Sequence, residues 1–326
     1  MINENIKTNE ENTIINYEQA IVLVEKEIDK ALSSSPRIIR GYTEYLMSSK
    51  GKFIRAYSLL ACAEDKDGLL HPNAVKFAAA IELLHLATLV HDDVIDNADL
   101  RRGNETLQKR YGKRTAVICG DYLLALSLKL AASVQNKEDY LDLDIPDYVS
   151  KVCIGELKQH INNFNFNLSV YKYLKIISGK TAALFEASFY AGAVLCEKDK
   201  IELNKYKELG RYIGMIFQLT DDCMDYENTV EEAKKPVQSD FEQGVITLPL
   251  IYTLKASAEF KEKASNRELS AEDINTAVIK SGGLKYTHML SKKYYNKAFK
   301  IIKELNIADK KRKKLQQILD KACRIK

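Results

Sequence analysis

The 326-residue chain has no tryptophan, and its 5 prolines and 14 glycines are about half of average usage. No proline falls between Pro72 and Pro146 or between Pro146 and Pro236. Proline breaks helix interiors, so these spans permit long helices, and the shortage of turn residues argues against a turn-rich β architecture. Charge of one sign is lacking too: 49 Lys and Arg stand against 45 Asp and Glu, a formal net charge of +4. A general polyanion surface is therefore not indicated, nucleic acid is a poor partner, and any basic function must be local. Six cysteines (Cys62, Cys119, Cys153, Cys196, Cys223, Cys323) form no CxxC pair, which fits buried thiols in a reducing compartment. The N-terminus, MINENIKTNEENTIINYEQ, has neither the basic n-region nor the apolar h-region of a signal peptide, and no stretch approaches a membrane span in length. These absences predict a cytoplasmic protein. What is present is apolar content, 46% of residues, ample for a sizeable core.

Ala20, Val24, Ile28 and Leu32 recur at helical spacing until Ser33–Pro36 stops them. Periodicity predicts further helices near 37–48, 52–65, 73–97, 105–111, 114–135, 147–164, 168–194, 199–226, 246–257, 271–281, 283–305 and 308–325, with loops at 66–71, 98–104, 136–146, 227–245 and 258–270. No segment alternates strictly, so no strand is predicted. None of the loops resembles an interdomain linker. The expectation is one all-α domain over 17–326, an antiparallel helix bundle, after a frayed polar stretch at 1–16.

Two of these helices, 73–97 and 199–226, are apolar on most sides through their second halves, and each runs into aspartates. The first cluster is His91-Asp92-Asp93-Val94-Ile95-Asp96; the second is Asp221-Asp222-Cys223-Met224-Asp225. Both are DDxxD patterns at helix C-terminal ends. Positions i and i+4 share a face, so Asp92 with Asp96, and Asp221 with Asp225, form carboxylate pairs one turn apart. The pairs repel, and the negative end of the helix dipole adds to the cost. A single DDxxD reads equally well as a solvated acidic helix end. Two copies on two core-type helices favour a shared site for Mg²⁺, which takes one or two carboxylates plus phosphate oxygens.

Basic residues accompany them. Lys52 and Arg55 lie three apart on one helix face, Arg101-Arg102 follows the first cluster after a short loop, and Lys180-Thr181 and Lys234-Lys235 add further cations. Each pair alone is more commonly a solvated surface feature. Together they suit two diphosphates, one held through Mg²⁺ and one directly.

With these motifs in order, the chain resembles the trans-polyprenyl diphosphate synthases: GKFIR at 51–55, ELLHLATLVHDDVIDNADLRRG at 82–103, GDYLLA at 120–125, GEL at 155–157, GKTAALF at 179–185, FQLTDDCMDY at 217–226 and KPVQSDFEQGVITLPLIY at 235–252. The resemblance implies the isoprenoid synthase fold, packed antiparallel helices around a central cavity, and usually a dimer. It implies Mg²⁺, three ions with substrate bound, on Asp92, Asp96 and Asp221, supported by Asp93, Asp222 and Asp225. Lys52, Arg55, His85 and Arg102 match the isopentenyl diphosphate pocket; Arg101, Lys180, Thr181, Gln218 and Lys235 match the allylic diphosphate site. His85, seven residues before Asp92, lies on nearly the same helix face and is expected in the same cavity.

Ala87 and Thr88 precede Asp92 by five and four residues, where short-chain members of the family carry aromatics that stop the growing tail. Small residues there imply a tail running on past Leu84, Leu83 and Ile81 to hexaprenyl–octaprenyl length, as for quinone side chains; a short-chain farnesyl or geranylgeranyl product is the alternative. Val245 stands where many short-chain members have lysine, Gln238 where glycine is common, and Lys234 where glycine usually precedes Lys235. The nearest likeness is to the catalytic subunit of heptaprenyl or hexaprenyl diphosphate synthase, which works with a small noncatalytic partner. A terpene cyclase is disfavoured by the second DDxxD, a regulatory subunit by the retained aspartates, and an HD-type metal phosphohydrolase, suggested by His91-Asp92, by the lack of a second His-Asp pair. The basic segment from Asp309 to Lys326 reads as a solvated terminal helix, with transient contact to anionic lipid as the lesser alternative.

Overall fold

Five helices in this computed structural model, which describes residues 15–47, 51–134, 136, 148–227 and 239–324, begin at a capping side chain, that of Asn16, Thr106, Ser169, Ser257 or Ser270. Asn16 accepts from the Gln19 N–H at 2.9 Å, and the Gln19 side chain accepts from the Asn16 N–H at 3.0 Å. Helix α1 (Tyr17–Ser33) follows and buries Ala20, Val24, Ile28 and Leu32. Then come α2 (Arg37–Met47), α3 (Ile54–Ala63), α4 (Asn73–Ile95), α5 (Leu107–Tyr111), α6 (Lys113–Ala132) and α7 (Tyr148–His160). The run expected at 168–194 is continuous, but it is α8 (Val170–Ile177), a π-helical turn (Ser178–Ala182) and α9 (Ala183–Ala193). The rest is α10 (Lys200–Glu227), a single turn at Ser239–Glu242, α11 (Leu248–Ala256), α12 (Ala258–Ser265), α13 (Ala271–Ser281), α14 (Gly283–Glu304) and α15 (Asp309–Ala322).

Three expectations need correcting. The predicted loop at 258–270 contains α12, started by Ser257, whose hydroxyl accepts from the Phe260 N–H at 3.2 Å. Strands do exist: Ile15–Asn16 pairs antiparallel with Leu69–Leu70, and Leu100–Arg101 with Asn104–Glu105. Two residues are too few to register as alternation in a sequence. Finally, α4 and α6 are long and apolar enough to cross a membrane by length and composition, although α4 is half buried within the bundle. The expected loops at 136–146 and 227–245 fall mostly outside the described residues, as do Lys234, Lys235 and Gln238.

Helix α4 is central. It packs most extensively on α6 and also against α1, α3 and α9, while α10 packs on α9 and α14. Close approaches need glycine. A Cβ on Gly192 would sit 2.2 Å from the Leu59 carbonyl oxygen, so α9 meets the backbone of α3 directly.

The C-terminal helix departs from its solvated reading. Lys311 is buried, and its ammonium donates to the carbonyls of Cys62 (2.6 Å) and Glu64 (2.7 Å) at the C-terminal end of α3, where the Cys196 thiol also donates to the Cys62 carbonyl at 3.3 Å. Lys314 pairs with the buried Glu64 carboxylate. An ammonium at a helix C-terminus satisfies orphan acceptors and the dipole together, so α15 is bolted to α3 rather than free in solvent.

Gly192→Ala is expected to destabilise the fold by about 1–3 kcal/mol through backbone overpacking. Urea unfolding followed by circular dichroism checks this.

Candidate active site

The first aspartate cluster divides by direction. Helix α4 ends at Ile95 with Asp96 as its C-cap, whose N–H donates to the Asp92 carbonyl at 2.8 Å, so the two side chains keep their one-turn spacing. Asp93 turns inward, is buried, and accepts from Arg101 Nε at 2.7 Å. Asp92 and Asp96 instead meet Lys180 and Glu156. Lys180 Nζ donates to Glu156 Oε1 at 2.9 Å. Burial pushes the Asp92 carboxyl up to about 7, with Glu156 and Asp96 adding to the push and Lys180 and Arg101 opposing it. Burial alone lowers the pKa of Lys180, but Glu156, Asp92 and Asp96 outweigh it and hold the ammonium above its ordinary range. Three carboxylates thus share one ammonium, leaving excess negative charge.

The π turn explains how Lys180 and Thr181 arrive there. A π turn inserts one residue into the helical winding and re-aims the side chains beyond it. Its backbone rests on α7 at Gly155, where a Cβ would come within 2.2 Å of the Lys180 nitrogen. Glu156, next in sequence, therefore stands beside Lys180.

On α10 the second cluster also divides. Asp222 is buried and accepts from the Tyr173 hydroxyl at Oδ2 and from Gln218 Nε2 at Oδ1, 2.7 Å away. Thr181 Oγ1 donates to Gln218 Oε1 at 2.6 Å, closing a chain Tyr173–Asp222–Gln218–Thr181. Burial pushes Asp222 up to about 7 despite the Tyr173 and Gln218 hydrogen bonds that favour its charge, and Asp221 and Asp225 add to the rise. Asp221 is exposed and accepts from Arg324 Nη2 at 2.9 Å, just beyond α15; Asp225 is half-buried.

One cleft, with about 610 Å³ of free space, is lined by Asp96, Glu156, Tyr173, Lys180, Gln218 and Asp222. Asp96 of the first cluster and Asp222 of the second therefore face the same space, which Asp92, Asp221 and Asp225 do not line, and Val245 lines it too. Among the described residues no three carboxylate, thiol or imidazole groups converge as a self-sufficient metal cage. A divalent cation here needs oxygens from a ligand, the arrangement Mg²⁺ uses with phosphates, and the surplus carboxylate charge around Lys180 fits such an ion.

The cations gather along another stretch of α4. Phe53, the N-cap of α3, is left-handed (φ 48°) and offers no capping side chain. Glu82 of α4 supplies the acceptor: its Oε1 takes the Ala56 N–H at 3.0 Å. Arg55 is 7% exposed, its guanidinium lies 4.5 Å from the Phe185 ring centroid, and its Nε is buried without a hydrogen-bond partner. Burial lowers its pKa to about 10; Glu82 resists this and Arg102 assists it. Arg102 is left-handed (φ 54°), and a Cβ on Gly51 would lie 3.2 Å from its guanidinium. Lys52 is exposed. Gly51, Glu82, His85, Leu86, Leu89 and Arg102 line a second cleft, with about 530 Å³ of free space. His85 thus belongs with the arginines rather than in the acidic cleft. Burial, followed by Arg55, Arg102 and Arg101, drives its pKa well below the usual histidine value, so it is neutral at pH 7.

Other expected positions sort by helix face. Ala87 is 1% exposed in the core cluster that also holds Ala116, Cys119 and Leu123 of α6. Thr88 is half-buried, with its hydroxyl on the His85 carbonyl at 2.8 Å. Leu84 packs against the cluster shared by α9 and α10, whereas Leu83 packs toward α1 and lines the basic cleft, so the two do not line one channel. His91 Nε2 lies 3.3 Å from both the Val117 carbonyl and Asp121 of α6, which removes it from any His-Asp metal pair. Sequence reasoning missed Glu82, Glu156, Tyr173 and Arg324. Glu82 and Glu156 stood inside quoted motifs; nothing in the sequence marked Tyr173 or Arg324.

The polyprenyl synthetase family model matches residues 36–281. The chain belongs to this family. Heptaprenyl diphosphate synthase component 2 of Geobacillus stearothermophilus is 33% identical over 292 residues, covering 86% of this chain and 88% of the relative. Geranylgeranyl diphosphate synthase of Saccharolobus solfataricus is 29% identical over 93% of this chain and 95% of its own. The crystal structure of heptaprenyl diphosphate synthase from Staphylococcus aureus superposes with a TM-score of 0.86 at 33% identity, covering 94% of this chain and 98% of that one. The fold is the all-α isoprenoid synthase fold, and the chain is a prenyltransferase of the polyprenyl synthase family.

The raised Asp92 carboxyl fixes a pH response. The folded state holds a proton that the unfolded chain releases near pH 4, so this stabilisation is full below pH 4 and is lost as pH rises through about 7. Asp92→Asn is expected to match wild type near pH 4 and to be the more stable protein at pH 8, read by urea unfolding in chelator.

Proposed function

We propose that the chain elongates an allylic diphosphate, farnesyl diphosphate, by successive trans condensations with isopentenyl diphosphate, and that the product is a hexaprenyl to octaprenyl diphosphate for a quinone side chain. The observation that carries this reading is the cleft that one aspartate of each cluster, Asp96 and Asp222, lines together with Lys180 and Gln218.

In this reading Asp92, Asp96 and Asp221 hold Mg²⁺, Asp93 keeps Arg101 in place, and Asp222 and Asp225 support the second cluster. Bound Mg²⁺ supplies charge compensation to the diphosphate leaving the allylic substrate. Lys180 and Arg101, with Lys235 by resemblance, bind the same diphosphate, and their fixed charges favour its departure. Isopentenyl diphosphate sits on Lys52, Arg55, His85 and Arg102. A neutral His85 is a hydrogen-bond donor there without adding charge. The Thr181 hydroxyl and the Gln218 carbonyl, held by Asp222 and Tyr173, turn oxygen dipoles toward the allylic cation while the isopentenyl double bond attacks C1. Loss of a proton to the departed diphosphate then leaves an allylic diphosphate one isoprene unit longer.

Product length follows from side-chain volume near Asp92. Ala87 and Thr88 put no ring in the path of the tail, which favours continued growth along α4. Assembly follows from exposed apolar surface: Val117, Ile118 and Leu128 on α6, Ile154 and Leu157 on α7, and Ile161 just after it are 40–67% exposed. Such rows suit burial between two copies of the chain, with a small noncatalytic subunit as a further partner.

Incubation with Mg²⁺, farnesyl diphosphate and labelled isopentenyl diphosphate, followed by sizing of the extracted prenyl alcohols, is expected to give C30–C40 products. Products no longer than geranylgeranyl would sink the long-chain reading, and activity only after addition of a second polypeptide would make the enzyme heteromeric. Ala87→Phe is expected to shorten the product and Asp92→Ala to abolish turnover, both read in the same assay.

A further inference from the structure

We infer that Glu82 is a positioning residue for the basic diphosphate pocket: from α4 it caps the start of α3 and holds Arg55 and Arg102 in their binding geometry. The inference rests on the proposed reading that this pocket takes isopentenyl diphosphate.

An anionic side chain beside an anion site is a liability unless it organises the cations. Glu82 is 9% exposed, and it lines the cleft with Gly51, His85 and Arg102. The first turn of α3 presents unpaired N–H groups, and its N-cap, Phe53, is left-handed with no side-chain acceptor. Glu82 closes that gap from another helix by accepting the Ala56 N–H at 3.0 Å. Fixing Ala56 fixes Arg55 one residue earlier and the Gly51-Lys52 loop before it. Arg55 and Arg102 come from segments nearly fifty residues apart, and both feel the charge of Glu82. The Arg55 guanidinium lies 4.5 Å from the Phe185 ring centroid and leaves Nε buried without a hydrogen-bond partner, a donor open to an acceptor oxygen.

The sign of one substitution is diagnostic. Glu82→Gln keeps a capping oxygen and removes a negative charge from the pocket. If the charge of Glu82 acted only on the ligand, by repelling it, diphosphate would bind more tightly. If that charge holds the two arginines in place, binding weakens: the KM for isopentenyl diphosphate is expected to rise about tenfold while that for farnesyl diphosphate moves less than about twofold. An unchanged or lower KM for isopentenyl diphosphate, or equal rises in both KM values, overturns the inference. Glu82→Asp, which keeps the charge but withdraws the cap by one methylene, is expected to give the same one-sided rise, and guards against an unstable Gln variant; a two-sided rise there overturns the inference equally. Calorimetric titration of the full-length protein with inorganic diphosphate in chelator separates this from the proposed function. Weaker binding in the variant sustains the Glu82 role even if wild type elongates nothing, and unchanged binding removes that role even if wild type elongates normally.

Discussion

Everything in the cleft depends on the repulsion between carboxylates at the C-terminal ends of two apolar helices. The dipoles of α4 and α10 point their negative ends where the aspartates already crowd. The chain relieves part of this internally, with Arg101 on Asp93, Arg324 on Asp221 and two neutral donors on Asp222. What is left over, Asp92 and Asp96 beside Glu156 with Lys180 among them, carries a net demand for positive charge. Stability given up there is what makes the cleft receptive to a cation and its anionic ligand, a common trade at functional sites.

The surrounding helices act as a frame that prevents the repelling groups from moving apart. Backbone contacts at Gly155 and Gly192 leave no slack between α7 and the π turn or between α9 and α3. Side-chain relays then set angles: Tyr173 through Asp222 to Gln218 and Thr181 on one side, Glu82 to the start of α3 on the other. The acidic and basic halves are carried by successive stretches of α4, so a rigid central helix fixes their separation.

The legible part of this design was periodic or local. The i, i+4 aspartates, the helical spacing of Ala20, Val24, Ile28 and Leu32, and the long proline-free spans all report on one helix at a time, and the all-α fold followed from them. Glu82, Glu156, Tyr173 and Arg324 have meaning only through partners 24 or more residues away, which periodicity does not encode. Lys311 misled for the same reason. A lysine in a run of lysines reads as solvated, and only the carbonyls at the end of α3 turn it inward. Leu83 and Leu84 show the finer limit: adjacent residues on a helix point about 100° apart, so one cannot extend the wall the other makes.

The bolt between α15 and α3 also bears on synthesis. Lys311 completes the Cys62 carbonyl across 249 residues of chain, and Lys314 reaches Glu64 across 250. Helix α3, whose other end carries Arg55 and follows Lys52, is thus left without this partner at its C-terminal end until Lys311 has been synthesised. Contacts of such sequence separation form late. A nascent chain that already carries both aspartate clusters therefore still lacks the anchor at the far end of the helix that bears Arg55.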